Sequence, residues 1–164
     1  MTSLIHIFDF ICTQNKEMKT ATDELLIEFK FKSKIALRWS DIDEAGHVNN
    51  AVYLTYLEES RVVYFHESCR WDWKKDGVIL ANANVNYKRP LFYPEPTFVY
   101  VRVSKIGGKS IELQYAITVE KEDNIELVST ASTILVMFDY KKQTSVEVPD
   151  YIRKAIGDFE QKSF

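Results

Sequence analysis

The chain has little cysteine, little histidine and no long apolar run, and each shortage closes off a class of protein. Its two cysteines, Cys12 and Cys69, lie far apart and outside any C-x-x-C spacing. That suggests neither a disulfide scaffold nor a thiol redox motif, and a reduced, cytoplasmic chain is the expectation. The three histidines, His6, His47 and His66, have no cysteine or carboxylate at zinc-site spacing, so no metal or other cofactor is expected. No apolar stretch approaches bilayer-spanning length. The formal net charge of −3 gives no general attraction to nucleic acid or to an anionic membrane, so neither is an expected partner. An anionic ligand must then be met by local basic groups. A G-x-S-x-G elbow is missing, which argues against a serine hydrolase. The segment GGKS echoes the end of a phosphate-binding loop, but Val103 stands where its first glycine belongs, and the segment joins two strands.

What is present is ordinary globular composition over 164 residues, with 46% hydrophobic and 27% charged, which fits one domain with one core. Aromatics at 13% lean towards β-structure or a ligand pocket. The start MTSLIHIFDFIC lacks a basic n-region, carries Asp9 and has no small-residue cleavage signal, so it is not expected to be a targeting segment. Two readings of residues 1–17 stand side by side: Met18 is the natural initiator, or the extension docks as a short helix.

Alternation of apolar and charged residues from Ile27 through Leu37 predicts a half-buried strand. Residues 51–67 contain no Gly or Pro and predict a helix with Asn49 or Asn50 as N-cap. Its apolar positions, from Val52 and Leu54 to Val62, Val63 and Phe65, cover more than one face, so burial on most sides is expected. Four further strands follow, in VILANANVNYKRP, TFVYVRVSKI, SIELQYAITVEKED and ELVSTASTILVMFDY, the last two split by a turn at Asp123-Asn124. Short connections make the last three an antiparallel meander. PDYIRKAIGDFE closes the chain as a short helix with Pro149 near its start. The order predicts an α+β fold, a curved antiparallel β-sheet wrapped around a long central helix. Residues 1–26 form an N-terminal extension, 27–140 the domain, and 141–164 a tail with the short helix.

Between the first strand and the helix stands WSDIDEAGHVNN, residues 39–50, and its continuation RWSDIDEAGHVNNAVYLTYLEESR resembles the signature of the hotdog-fold thioesterases. The likeness is to the 4-hydroxybenzoyl-CoA thioesterase-like branch, which hydrolyses acyl-CoA or acyl-carrier-protein thioesters. Asp41, Asp43, Gly46, His47, Val48, Asn49, Asn50 and Tyr53 match the branch pattern, with weaker echoes in NYKRPLFYPEP and IGGKSIELQY. The resemblance implies the hotdog fold, acyl-CoA (or acyl carrier protein) as substrate carrier, and a homodimer or homotetramer with sheets joined edge to edge. It implies Asp43 as the catalytic carboxylate, either nucleophile or general base, and the Asn50 main-chain amide as donor to the oxyanion. A helix N-terminus suits that task, because its free N–H groups and partial positive charge favour negative charge on a ligand. Gly46 would turn the chain tightly and keep the backbone open to the ligand.

His47 has three open roles: orienting Asp43, touching the thioester, or capping the loop. Asp41 is expected to be structural, the Asn49 and Asn50 side chains to cap the helix, and Glu58 to pair with Arg61 one turn on. Val48 and Tyr53 would line the acyl site, while Lys88, Arg89 and Lys109, with Lys105, would offer positive charge to CoA phosphates. Two rival readings exist. A hotdog hydratase needs an Asp and a His five apart with Asn-Pro between, whereas Asp41 and Asp43 lie six and four residues before His47 with no proline. A non-catalytic acyl-CoA-binding module would have no need of Asp43.

Overall fold

A computed structural model describes residues 21–122 and 124–164. The expectations for residues 1–17, for Cys12 and for Asp123 of the turn lie outside them. A short helix, α1, occupies residues 21–27. It is followed by β1 (Phe31–Ile35), a 3-10 turn (Trp39–Asp41), α2 (Val52–Cys69), β2 (Val78–Tyr87), β3 (Thr97–Ile106), β4 (Ser110–Lys121), β5 (Asn124–Asp139), β6 (Thr144–Ser145) and α3 (Asp150–Glu160). Five strands form one antiparallel sheet in the order β1-β3-β4-β5-β2, with β6 paired to the end of β5. The β3-β4-β5 meander is as the spacing predicts, and the sheet curls around α2 in the hotdog arrangement.

The core lies between α2 and the concave face. Tyr53, Tyr56, Leu57, Tyr64 and Phe65 of the helix meet Val99, Val101, Leu113, Tyr115, Ile117 and Leu135 of the sheet. The convex face carries a second apolar cluster, in which Leu26 of α1 packs on Tyr100 and Ala116, with Leu25, Phe29 and Phe98 around them. β3 and β4 are thereby covered on both faces. That is why their burial departs from strict alternation at Tyr100 and Ala116.

Two expectations are corrected. The helix N-cap is Ala51, not Asn49 or Asn50. Asn49 acts just ahead of it: its Oδ1 accepts from Ala51 N–H at 2.9 Å and its carbonyl accepts from Val52 N–H at 3.0 Å. Nor is α2 buried on most sides of this chain. Leu54, Val62 and Val63 are 41%, 39% and 42% exposed, whereas Ser60, Arg61 and Ser68 are buried. The helix packs over β1 and β3 and leaves β2 uncovered, so none of the ten residues of β2 is buried.

The C-terminal helix is tied in by polar bonds to buried groups. Glu160, only 9% exposed, accepts from the Tyr64 hydroxyl of α2 and from Val103 N–H at 3.1 Å. Burial and the neighbouring Glu160 carboxylate hold the Tyr64 phenol far above its usual range. Arg153 donates to the carbonyls of Ile106 and Gly107 at 3.1 and 2.8 Å. No helix of the described residues is long and apolar enough to cross a membrane.

Removing the Glu160 acceptor leaves a hydroxyl and an amide unpaired in the core. Glu160→Ala should lower unfolding stability by about 2–4 kcal/mol, while Glu160→Gln, which keeps an acceptor oxygen, should lose less. Urea denaturation of both variants checks this, and an unchanged midpoint for the alanine variant contradicts it.

Candidate active site

The motif loop is organised by its two aspartates in different ways. Asp41 is 3% exposed. Its carboxylate accepts from the Tyr56 hydroxyl at 2.7 Å, from Arg38 N–H at 2.9 Å and from Arg38 Nε at 3.1 Å. Its carbonyl accepts from Asn49 N–H at 2.8 Å. Burial alone would raise its pKa, but the Tyr56 and Arg38 bonds outweigh it and hold the carboxyl below the ordinary carboxylate value. The same environment drives the Tyr56 phenol upward, chiefly through burial and then through its bond to Asp41.

Asp43 stands at the mouth of a tight turn. Its N–H donates to the His47 carbonyl and its own carbonyl accepts from Gly46 N–H, both at 3.0 Å. Gly46 has φ +81°, a conformation that favours glycine, and a Cβ there would meet open space. Asp43 Oδ1 accepts from Ala45 N–H at 2.9 Å, and Oδ2 lies 3.6 Å from His47 Nδ1. That nitrogen also sits 3.3 Å from the Val48 carbonyl. One carboxylate oxygen is fixed by the backbone, and the other is left facing the imidazole and the cleft.

The helix start supplies the opposite partner. Val48 N–H donates to Leu91, Asn49 N–H to Asp41, Ala51 N–H to the Asn49 side chain and Val52 N–H to the Asn49 carbonyl. Across residues 48–52, the Asn50 N–H alone has no acceptor among the described residues. The Asn50 carbonyl accepts from the Tyr87 hydroxyl at 2.9 Å, which fastens the helix start to the end of β2. Tyr87 meets Tyr53 edge-on, with ring centroids 4.9 Å apart. Tyr53 is 2% exposed, and burial pushes its phenol up to about 12.

These groups border a cleft of about 330 Å³ lined by Asp43, His47, Val48, Asn50, Tyr53 and the 87–90 segment of Tyr, Lys, Arg and Pro. A larger open hollow of about 580 Å³ lies beside α3, remote from the motif. Most of the residues singled out in the sequence converge on the smaller cleft: Asp43, His47, Val48, Asn50, Tyr53, Lys88 and Arg89 all line it. Gly46 and Asn49 do not; they shape the turn and the helix start behind it. Lys109 lies elsewhere. Its carbonyl accepts from Met137 N–H, whereas Tyr87 pairs with Ser129, eight residues back along β5 and roughly 25 Å away at strand rise.

Arg89 differs from expectation in its charge. It donates to Glu95 at 2.9 Å and to Glu126 at 2.8 Å. Burial works against its charge, but these two carboxylates more than offset that and keep the guanidinium protonated. Its charge is thus already matched within the fold. Lys105 is likewise paired, with Glu112 at 3.4 Å. Glu58 and Arg61 form no ion pair with each other; Arg61 turns inward to the Tyr115 hydroxyl instead. Tyr87 and Pro90 were missed as site residues, although the NYKRP segment that carries them was visible as a motif. Among the described residues, no group of three or more His, Cys, Asp or Glu could hold a metal ion.

The thioesterase-like superfamily matches residues 37–156 of the chain. Long-chain acyl-CoA thioesterase FadM of Escherichia coli K12 is 29% identical over 128 residues, covering 76% of this chain and 96% of that protein. A thioesterase from Thermus thermophilus, solved in complex with coenzyme A and Zn, is 30% identical with a TM-score of 0.74, covering 84% of this chain and 98% of that one. A 4-hydroxybenzoyl-CoA thioesterase variant complexed with 4-hydroxybenzoyl-CoA has a TM-score of 0.68 at 20% identity, over 74% of this chain and 95% of that one, a likeness of fold alone. By its motif loop, its sheet around a central helix and the extent of these matches, the chain belongs to the thioesterase-like superfamily.

Proposed function

We propose that the cleft hydrolyses acyl-CoA thioesters, with Asp43 as the reacting carboxylate and the Asn50 N–H as the oxyanion donor. The observation that carries this reading is the Asn50 amide, which alone across residues 48–52 has no acceptor among the described residues, on the same cleft as a carboxylate with one oxygen tied to the backbone. The similarity to a long-chain acyl-CoA thioesterase supports CoA as the carrier and a long acyl chain.

A thioester carbonyl is already electrophilic and its thiolate leaves readily, so little machinery is needed. Asp43 Oδ2 either attacks the carbonyl carbon, giving an acyl anhydride that water then opens, or takes a proton from a water that attacks. In both routes the carbonyl oxygen gains negative charge, which the Asn50 N–H and the partial positive charge of the α2 N-terminus stabilise. The C–S bond then breaks, and coenzyme A leaves as a thiolate that takes up a proton. His47 is the positioning residue: its Nδ1, between the Val48 carbonyl and Asp43 Oδ2, restrains the carboxylate. Lys88, at the exposed rim, meets the phosphates of CoA; Arg89, already held by two carboxylates, shapes the wall.

The uncovered β2 edge fits a homodimer joined through this strand, since a ten-residue, one-sided ladder with no buried residue invites pairing with a second copy. The Tyr87 end of β2 borders the cleft, so such a joint lies beside the site.

Asp43→Asn should lower acyl-CoA hydrolysis by at least about 10³-fold with melting temperature and oligomer size unchanged. Near-wild-type turnover by that variant contradicts the mechanism. Asp41→Asn should instead lower stability by about 2–3 kcal/mol. Because the Asp41 pKa is depressed in the fold, its stabilisation is present above the ordinary carboxylate pKa and is lost as pH falls through the folded value. Chemical denaturation from about pH 7 down to about pH 3 should therefore show a shallower acid decline in Asp41→Asn than in the wild type. Finally, a panel of acyl-CoAs and acyl carrier proteins across chain lengths should show turnover of long-chain acyl-CoA. Turnover confined to acyl carrier protein reassigns the carrier, and binding without turnover marks a non-catalytic module.

A further inference from the structure

Arg61 is the feature that the proposed chemistry does not use. It sits in the middle of α2, 8% exposed, and among the described residues its guanidinium makes one hydrogen bond, a long 3.4 Å contact to the Tyr115 hydroxyl. That hydroxyl is already engaged with Thr133 Oγ1 at 2.8 Å. No carboxylate of the described residues forms an ion pair with the guanidinium. A buried cation with only a neutral partner is costly, and such groups are normally paired. Among the described residues the guanidinium thus has no carboxylate partner.

Its direction is fixed by neighbours. Ser60, on one side of α2, bonds Ser33 of β1, while Arg61 on the other side reaches Tyr115 of β4, next to Thr133 of β5. The Arg61 side of the helix therefore faces the β5-β2 side of the sheet, where β2 is uncovered. Glu58 lies three residues before Arg61, about 60° around the helix, on the same side, exposed and with no ion pair of its own among the described residues. Leu54 and Val62, one turn to either side of Glu58, are the exposed apolar residues of that strip.

We propose that Glu58 of a second copy of this chain supplies the counter-charge of Arg61. The strip Leu54-Glu58-Val62 is then a self-complementary helix face in the homodimer. The inference rests on the homodimeric reading of the β2 edge and adds the contact that would sit above that joint. A two-fold axis passing between positions 59 and 60 of two antiparallel helices sets Glu58 opposite Arg61 twice over, because an isologous interface repeats every contact. The same operation brings Leu54 and Val62 out of solvent around the two ion pairs.

The test is sedimentation equilibrium of the full chain. Glu58 is exposed in the protomer, so Glu58→Arg should fold, as circular dichroism and melting will show, yet it places like charges together. Its dimer dissociation constant should rise by on the order of 10²-fold. The exchanged pair, Glu58→Arg with Arg61→Glu, should recover dimerisation to within about 10-fold of wild type. Should that buried acidic replacement not fold, Glu58→Gln and Arg61→Met, singly and together, replace it, and a non-additive effect on dimerisation supports the pair. Glu58→Arg dimerising like wild type overturns the pairing while leaving the homodimer intact, and leaves the guanidinium for a ligand anion. A wild-type chain that stays monomeric at micromolar concentration overturns the homodimer and the pairing together.

Discussion

The Asp41 carboxylate, almost wholly out of solvent, accepts from Tyr56 on α2 and from both the backbone and the side chain of Arg38 ahead of the 3-10 turn. Its carbonyl takes the Asn49 amide as well. One residue therefore holds the loop before the helix, the first residues after the loop, and the helix body one turn further on. Without that tie, Asp43 would sit on a hinge rather than at a fixed place beside the helix start. The arrangement separates two tasks that adjacent aspartates could have confused. The buried one supplies rigidity through its full set of bonds, and the half-exposed one keeps an oxygen free.

The helix start shows a related division. A capping side chain usually satisfies the first orphan amides of a helix. Here Asn49 takes the Ala51 and Val52 amides through its side chain and carbonyl, and Asp41 takes that of Asn49. Asn50 lies between these satisfied groups with its N–H left over. Among the described residues the Asn50 amide is thus left without an acceptor while the amides on either side of it are satisfied. The carbonyl of the same residue is drawn towards β2 by Tyr87, so the orientation of Asn50 is fixed from two sides.

Much of this was legible in the residues. The alternation in the strands pointed to the meander, and the motif from Asp41 to Tyr53 located the cleft, because short-range turn and cap chemistry is written locally. Long-range charge matching was not legible. Arg89 looks like a free cation beside Lys88, yet Glu95 and Glu126 reach it from six and thirty-seven residues away. Lys109 stands next to a promising glycine turn, but antiparallel pairing carries that turn to the far end of the sheet from Tyr87. The helix misled in the same way. Its apolar residues promised burial all round, but burial follows from which strands the helix lies over, and here those are β1 and β3 rather than β2.

The packing of α1 on the outer surface gives the sheet a gradient of local stability. Strands β3 and β4 have apolar side chains pressed on both faces, at Leu113 and Tyr115 within and at Tyr100 and Ala116 without, so their amides should be the last to open to solvent deuterium. At the other margin β2 has no buried residue, and in a single protomer its amides should open first. The cleft draws on both, with Tyr53 of α2 packed in the core and Tyr87 carried by β2. The hydrogen bond from Tyr87 to the Asn50 carbonyl joins the two. Whatever quiets β2, whether ligand or a neighbouring strand, also steadies the helix start across from Asp43.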